Sequence, residues 1–247
     1  MQRYLPSTFN LADLDEKQWF GRAPYGKETP GFYQFIDEPE RAGWEKNKGS
    51  HPEINWSADA VTYHINTQRH RGSILPARGQ SAAFGCSFTF GYGVDESEHW
   101  PGLLGVANCG ESGSSNDQIV RTAISYINYW QPADVFVMFT FPNRREWIND
   151  AGEYRKFKGL TPEDRKRILK ETDFGWETAH LALHNEYSDH YNFYKNKVFL
   201  ESFCQAKNVR LHFTTVGEID YLPFTPARDL NHPGPLWHLL IAEHFKT

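Results

Sequence analysis

Ser87 stands in Gly85-Cys86-Ser87-Phe88-Thr89, directly after the apolar residues Ala82, Ala83 and Phe84. A serine hydroxyl is a weak nucleophile at neutral pH. To attack a carbonyl it needs a base in hydrogen-bond reach, a group that orients the base, and donors aimed at the developing oxyanion. A serine at a strand end exposes its hydroxyl and keeps its own backbone N–H free to donate. Taken alone, the motif more often marks an ordinary turn serine. Far along the chain, Arg228-Asp229-Leu230-Asn231-His232-Pro233 precedes an apolar run. On a turn, Asp229 and His232 can project the same way. The carboxylate then receives one imidazole N–H, fixes the tautomer and leaves the other ring nitrogen for a serine. The plain alternative is a helix-capping aspartate beside a surface histidine.

A third segment, Asn108-Cys109-Gly110-Glu111-Ser112-Gly113-Ser114-Ser115-Asn116, supplies glycines where a backbone N–H can approach a ligand closely. A helix opening just after it adds partial positive charge. Gly113 is the expected backbone donor to an oxyanion. A phosphate-cradling loop would need Gly-Lys-Ser/Thr at its end, which is missing. Other polar clusters read more plainly. His180 and His184 lie one helical turn apart near Glu186, Asp189 and His190, but the zinc-protease pattern His-Glu-x-x-His is absent. A solvated helix face is the simpler reading. Arg165, Lys166, Arg167 and Lys170 alternate with Glu163, Asp164 and Glu171 as on a salt-bridged surface helix. Cys86 reads as a small residue facing the core rather than as a nucleophile.

These residues must be positioned by regular elements. Ala82–Gly85 predicts a short strand ending at a tight turn, Val106–Cys109 a second, and the apolar run Ala133–Phe139 a strand covered on both faces. Asn208–Thr215 predicts the next strand. Helices are expected at Trp100–Leu104, from a Ser114 or Ser115 cap to about Trp130, from Thr161-Pro162 onward, over Trp176–Ala206 and over Pro235–Phe245. Alternation of strands and helices points to a parallel sheet with helices on both faces, and active sites of such sheets lie beyond the strands' carboxyl ends. Three of those ends carry the polar residues above. Residues 1–80 are polar, rich in Pro, Gly, Lys and Glu, and weakly periodic, with a short strand near Val61–Ile65. They read as an irregular arm packed on the core.

Composition agrees with one elaborated α/β domain. The 247 residues are 39% hydrophobic and 15% aromatic, enough for a sizeable core that absorbs most of the rings. A net charge of -5 argues against nucleic-acid binding. Three cysteines without metal-site spacing predict neither a disulfide framework nor a zinc site. The start of the chain lacks a signal-like pattern and no apolar run is long enough to cross a bilayer, so a cytoplasmic, membrane-free protein is expected.

Gly-Cys-Ser-Phe-Thr at 85–89, Asn-Cys-Gly-Glu-Ser-Gly at 108–113, a buried strand with a polar end, and Asp229-x-x-His232 together resemble the SGNH/GDSL hydrolases. The match runs from about Ser81 to the C-terminus, and His64-Ile65-Asn66 to Arg71-Gly72 is similar to the lead-in of some members. The resemblance implies a three-layer α/β/α flavodoxin-like fold with a mostly parallel sheet in residues 81–247, carrying the arm 1–80. It implies acyl-ester hydrolysis or transfer without metal or cofactor, with Ser87 as nucleophile, His232 as base, Asp229 as its orienter and Gly113 in the oxyanion hole. Cys86 replaces an aspartate that is not a catalytic acid in the family. The family's third block contributes an oxyanion-binding Asn from Gly-x-Asn-Asp. Here Phe139-Thr140-Phe141-Pro142-Asn143-Arg144 departs from it. Asn143 is the nearest equivalent, one position late, with Asn116 and Arg144 as substitutes or substrate-binding groups. The expected reaction is cleavage of a short-chain, acetyl-type ester on a small molecule or glycan. An acyltransferase using the same residues, or a non-catalytic glycan- or protein-binding module, are the rival readings.

Overall fold

The computed structural model describes residues 31–34, 45, 48–50, 61–68, 70–148, 154–157, 185–219, 222–223 and 225–247. In chain order, β1 (Gly31–Gln34) pairs antiparallel with β2 (Thr62–Ile65), Gly31 opposite Ile65. Then come β3 (Ala82–Phe84), the one-turn helix α1 (Ser87–Phe90), α2 (Trp100–Leu104) and β4 (Ala107–Asn108). Helix α3 (Asn116–Trp130) leads to β5 (Asp134–Phe139), followed by an antiparallel pair, β6 (Arg145–Ile148) and β7 (Tyr154–Phe157). Helix α4 (Glu186–Lys207), β8 (Arg210–Thr215) and α5 (Pro235–Lys246) complete the chain.

The central sheet runs β4-β3-β5-β8 with every pairing parallel. Numbered within the sheet this is order 2-1-3-4, that of a flavodoxin-like doubly wound sheet, whose switch point falls between β3 and β5. Side chains alternate faces along each strand. Ala82 and Phe84 with Val135, Val137 and Phe139 join one cluster with Ile119, Ala123 and Ile127 of α3 and Leu200 and Cys204 of α4. The intervening Ala83, Phe136 and Met138 join the other, with Trp100 of α2 and Trp237, Ile241 and Phe245 of α5. Helices therefore cover both faces, and each large side chain fully buried there contributes roughly 1.5–3 kcal/mol. Both faces of β5 are covered, which is why its sequence is a continuous apolar run.

Helix boundaries follow local chemistry. The Ser115 side chain accepts from Gln118 N and starts α3, as expected. The long helix expected from Trp176 instead begins at Glu186. Asn185 is extended and forms a reciprocal capping box with Ser188, which ends any continuous helix through that point. The helix expected after Thr161-Pro162, the charged stretch 163–171, and His180 and His184 lie outside the described residues. In the region read as an arm, Val61, Tyr63 and Ile65 pack with Phe90 and Tyr92, so β2 is built against the α1 segment.

Candidate active site

Ser87 is the first residue of α1, buried at the carboxyl end of β3, and Cys86 before it is fully buried in an extended N-cap conformation. A four-residue helix is marginal by itself. Here its end is held by side chains from two other segments. Asn108 Nδ2 donates to Thr89 O (3.0 Å) and Phe90 O (3.2 Å), while its Oδ1 accepts from Gly110 N (3.0 Å). Arg71 Nη1 donates to Phe90 O (2.6 Å) and Gly91 O, and Nη2 donates to Val94 O. The Arg71 guanidinium also lies 4.6 Å over the Tyr63 ring and 5.1 Å over Phe90. Burial lowers its pKa to about 10, so it remains charged at neutral pH, facing the carbonyl end of α1. Sequence reasoning placed Arg71 only in a lead-in segment and Asn108 only in a glycine loop. A buried arginine carries no local signal that identifies the carbonyls it will meet.

Asp229 and His232 are brought together on one tight loop. Gly234 N donates to Thr225 O (2.6 Å) and Ala227 N to His232 O (2.7 Å), and Leu230 takes a left-handed φ of 58° at the tip. Asp229 is 1% exposed, and its Oδ1 accepts from Asn231 N (3.1 Å) and His232 N (3.0 Å) while Oδ2 meets His232 Nδ1. Burial alone would raise the Asp229 carboxyl, but the His232 side chain and the two backbone donors outweigh it and hold it below the ordinary carboxylate range. An ionised Asp229 makes Nδ1 the protonated nitrogen and leaves the Nε2 lone pair available.

This loop is docked on the segment that follows Ser87. Arg228 N donates to Gly93 O (3.1 Å), and the Arg228 guanidinium bonds Glu98 (2.8 Å) and lies 3.3 Å from Asp95. Gly93 has a φ of 71°, and a Cβ there would sit 2.7 Å from Ala227 Cβ. As a result the His232 ring stacks on Tyr92 (centroids 5.2 Å, 30°) and meets Phe88 edge-on (5.8 Å). The imidazole thus lies against Phe88, the residue after Ser87 on α1, and against Tyr92, two residues past the end of α1. Phe88, Tyr92 and Arg228 were not read from sequence as site residues.

The glycine loop closes another side. A Cβ on Gly110 would stand 2.5 Å from Phe90 N, so only glycine allows the loop to lie on α1. Glu111 N donates to Gly85 O (3.0 Å) and Glu111 accepts from Gln118 Nε2 (2.6 Å). The backbone N–H groups of Ser87 and Gly113 have no acceptor among the described residues. Asn116 does not stand free as a substrate-facing amide. Its Oδ1 accepts from Thr140 N (2.8 Å) and its Nδ2 donates to Thr140 O (3.1 Å), tying the start of α3 to the end of β5. Asn143 and Arg144 occupy the half-buried turn beyond β5, closed by Arg144 N donating to Phe141 O (3.2 Å).

Among the described residues, no three His, Cys, Asp or Glu side chains gather as a metal-binding group, and no helix is long and apolar enough to cross a membrane. His190 and Glu186 are exposed at 4.0 Å from each other, and Asp189 pairs with Arg145.

No family model matches the sequence, and no curated protein matches it. Among solved structures, the chain is similar to a Desulfitobacterium hafniense DCB-2 protein described as a candidate lipolytic member of the G-D-S-L family. The two share 18% identity over 68% of this chain and 97% of that one, with a TM-score of 0.34. At that similarity, a functional reading rests on the site's own geometry.

Proposed function

We propose that the protein is a serine esterase that cleaves a short-chain, acetyl-type ester through an acyl-enzyme, with small molecules and acylated carbohydrates as its substrate class. The observation that carries this reading is the pair of buried Asp229 and half-buried His232 held against the α1 turn that Ser87 begins. Ser87 Oγ attacks the ester carbonyl as His232 Nε2 takes its proton. Buried and ionised, Asp229 stabilises the resulting imidazolium. The Ser87 and Gly113 N–H groups receive the oxyanion, with Asn143 as the side-chain donor. Collapse of the tetrahedral intermediate expels the alcohol, which takes the proton from His232. Water, activated by the same histidine, then attacks the acyl-serine and regenerates the free hydroxyl.

A fluorophosphonate probe tests the assignment directly. Wild-type protein is expected to be labelled on Ser87 and to release acetate from aryl acetates. Ser87→Ala is expected to lose both. Labelling that persists in Ser87→Ala contradicts the reading.

A further inference from the structure

We propose that Arg144 recognises an anionic group, a carboxylate or phosphate, on the ester substrate; the inference rests on the serine-esterase reading above. Six other arginines whose side chains are described each meet at least one acceptor. Arg121 pairs with Glu146 (2.7 Å), Arg145 with Asp189 (3.0 Å), Arg210 with Asp134 (2.7 Å) and Arg228 with Glu98 (2.8 Å). Arg71 is bonded to three backbone carbonyls and Arg78 to Gln131 Oε1. The Arg144 guanidinium has a ring contact instead, 5.1 Å over Phe141, and its Nη1 is buried with no hydrogen-bond partner among the described residues. Leaving a buried guanidinium donor unbonded is costly, and stacking on an aromatic face satisfies none of its N–H groups. Stacking does hold the plane fixed, which leaves the edge of the fork for a bidentate acceptor.

Placement points the same way. Arg144 lies in the turn Phe141–Arg144 at the carboxyl end of β5, and β5 is hydrogen-bonded to β3, the strand that leads to Ser87. This is the switch-point crevice of the sheet, where ligands of doubly wound folds bind. The turn is also fixed rather than free to swing away. Thr140 before it is tied to Asn116, while Arg145 and Glu146 after it are anchored to α4 and α3. A rigidly presented, unpaired cation at the end of the strand next to the one that leads to Ser87 selects substrates that bring their own negative charge.

The test compares matched esters, reading the ratio of kcat/KM within each pair. The pairs are 4-nitrophenyl succinate against 4-nitrophenyl butyrate, acetylated glucuronic acid against acetylated glucose, and acetylated glucose 6-phosphate against acetylated glucose. Wild type is expected to favour the anionic member of at least one pair by about tenfold or more, as for a charge-assisted bidentate contact. Which pair responds separates a carboxylate from a phosphate and the acyl side from the alcohol side. Arg144→Gln is expected to bring that ratio near one, and Arg144→Lys to keep an intermediate ratio because charge remains without the fork. Circular dichroism and melting curves establish that both variants fold. If Arg144→Gln does not fold, the drop of the ratio in Arg144→Lys decides. Ratios near one in every pair for an active wild type, or a preference that survives Arg144→Gln, overturn the inference and leave the serine reading standing. A wild type that takes no fluorophosphonate and cleaves none of the esters overturns both.

Discussion

Acidification is expected to destabilise this protein above the pH at which its carboxylates titrate, because three histidines are buried as neutral rings. His70, His99 and His238 are each at most 6% exposed. His99 Nδ1 accepts from Gly102 N (2.8 Å) and His238 Nδ1 accepts from Trp100 N (3.4 Å), so protonation would turn each acceptor into a donor facing a donor. Burial, with the nearby charge of Arg71 for His99 and His238, lowers all three: His70 to about 4, His238 to about 3, and His99 well below the usual value. A folded-state pKa below the unfolded value means that the stabilisation is complete above about pH 6.5 and is lost as pH falls toward the folded pKa. Within that window each histidine removes about 1.4 kcal/mol per pH unit, and the three together about 4 kcal/mol. Glu98, Asp134 and Asp229 are held below the usual carboxylate range, so their contribution is lost only at lower pH. At roughly 2–4 °C per kcal/mol for a chain of this size, Tm is expected to fall by about 10 °C between pH 6 and pH 5. Calorimetry or urea unfolding at half-unit steps from pH 7.5 to 5 measures this. His238→Asn is expected to shallow the slope by about one third. A Tm constant across that range, or a slope unchanged in both His70→Asn and His238→Asn, would refute the reasoning.

Other expectations concern the site itself. His232→Ala and Asp229→Asn should each lower kcat on aryl acetates by about four orders of magnitude or more while leaving the melting curve of His232→Ala near wild type. Arg228→Gln removes the bonds to Glu98 and Asp95 that pin the Asp229–His232 loop. Its fluorophosphonate labelling should slow, with stability lowered by about 1–3 kcal/mol in urea titrations. Gly110→Ala drives a methyl into Phe90 N and should cost about 1–3 kcal/mol and misplace α1, visible as slowed labelling of Ser87. Cys86, Cys109 and Cys204 are all free and buried, and burial pushes the Cys109 thiol up and that of Cys204 up to about 11. Thiol titration should therefore find them unreactive until denaturant is added.

Much of the scaffold was legible because it is set by local chemistry. The continuous apolar run Val135–Phe139 is what a strand covered on two faces requires, and Ser115 before Asn116 is an N-cap that needs no distant partner. The pairing of Asp229 with His232 was visible for the same reason, since both lie on one turn of their own loop. The helix expected over Trp176–Ala206 starts at Glu186 because the Asn185–Ser188 capping box, which depends on backbone geometry at a single residue, sets its first turn.

Residue types and spacing thus determined which groups can do chemistry: Ser87 after a strand, a carboxylate–imidazole pair and a glycine loop. Tertiary structure alone decided how the segments that carry them are arranged. The sheet order puts the ends of β3 and β5 side by side, Arg71 and Asn108 hold α1 by its carbonyls, and Gly93 and Arg228 dock the histidine loop against Phe88 and Tyr92. It also tied Asn116 to Thr140 and left Arg144 Nη1 without an acceptor among the described residues. Each of these contacts joins segments distant in sequence. Their energies come from burial and from the acceptors met in the packed state, which no local pattern specifies.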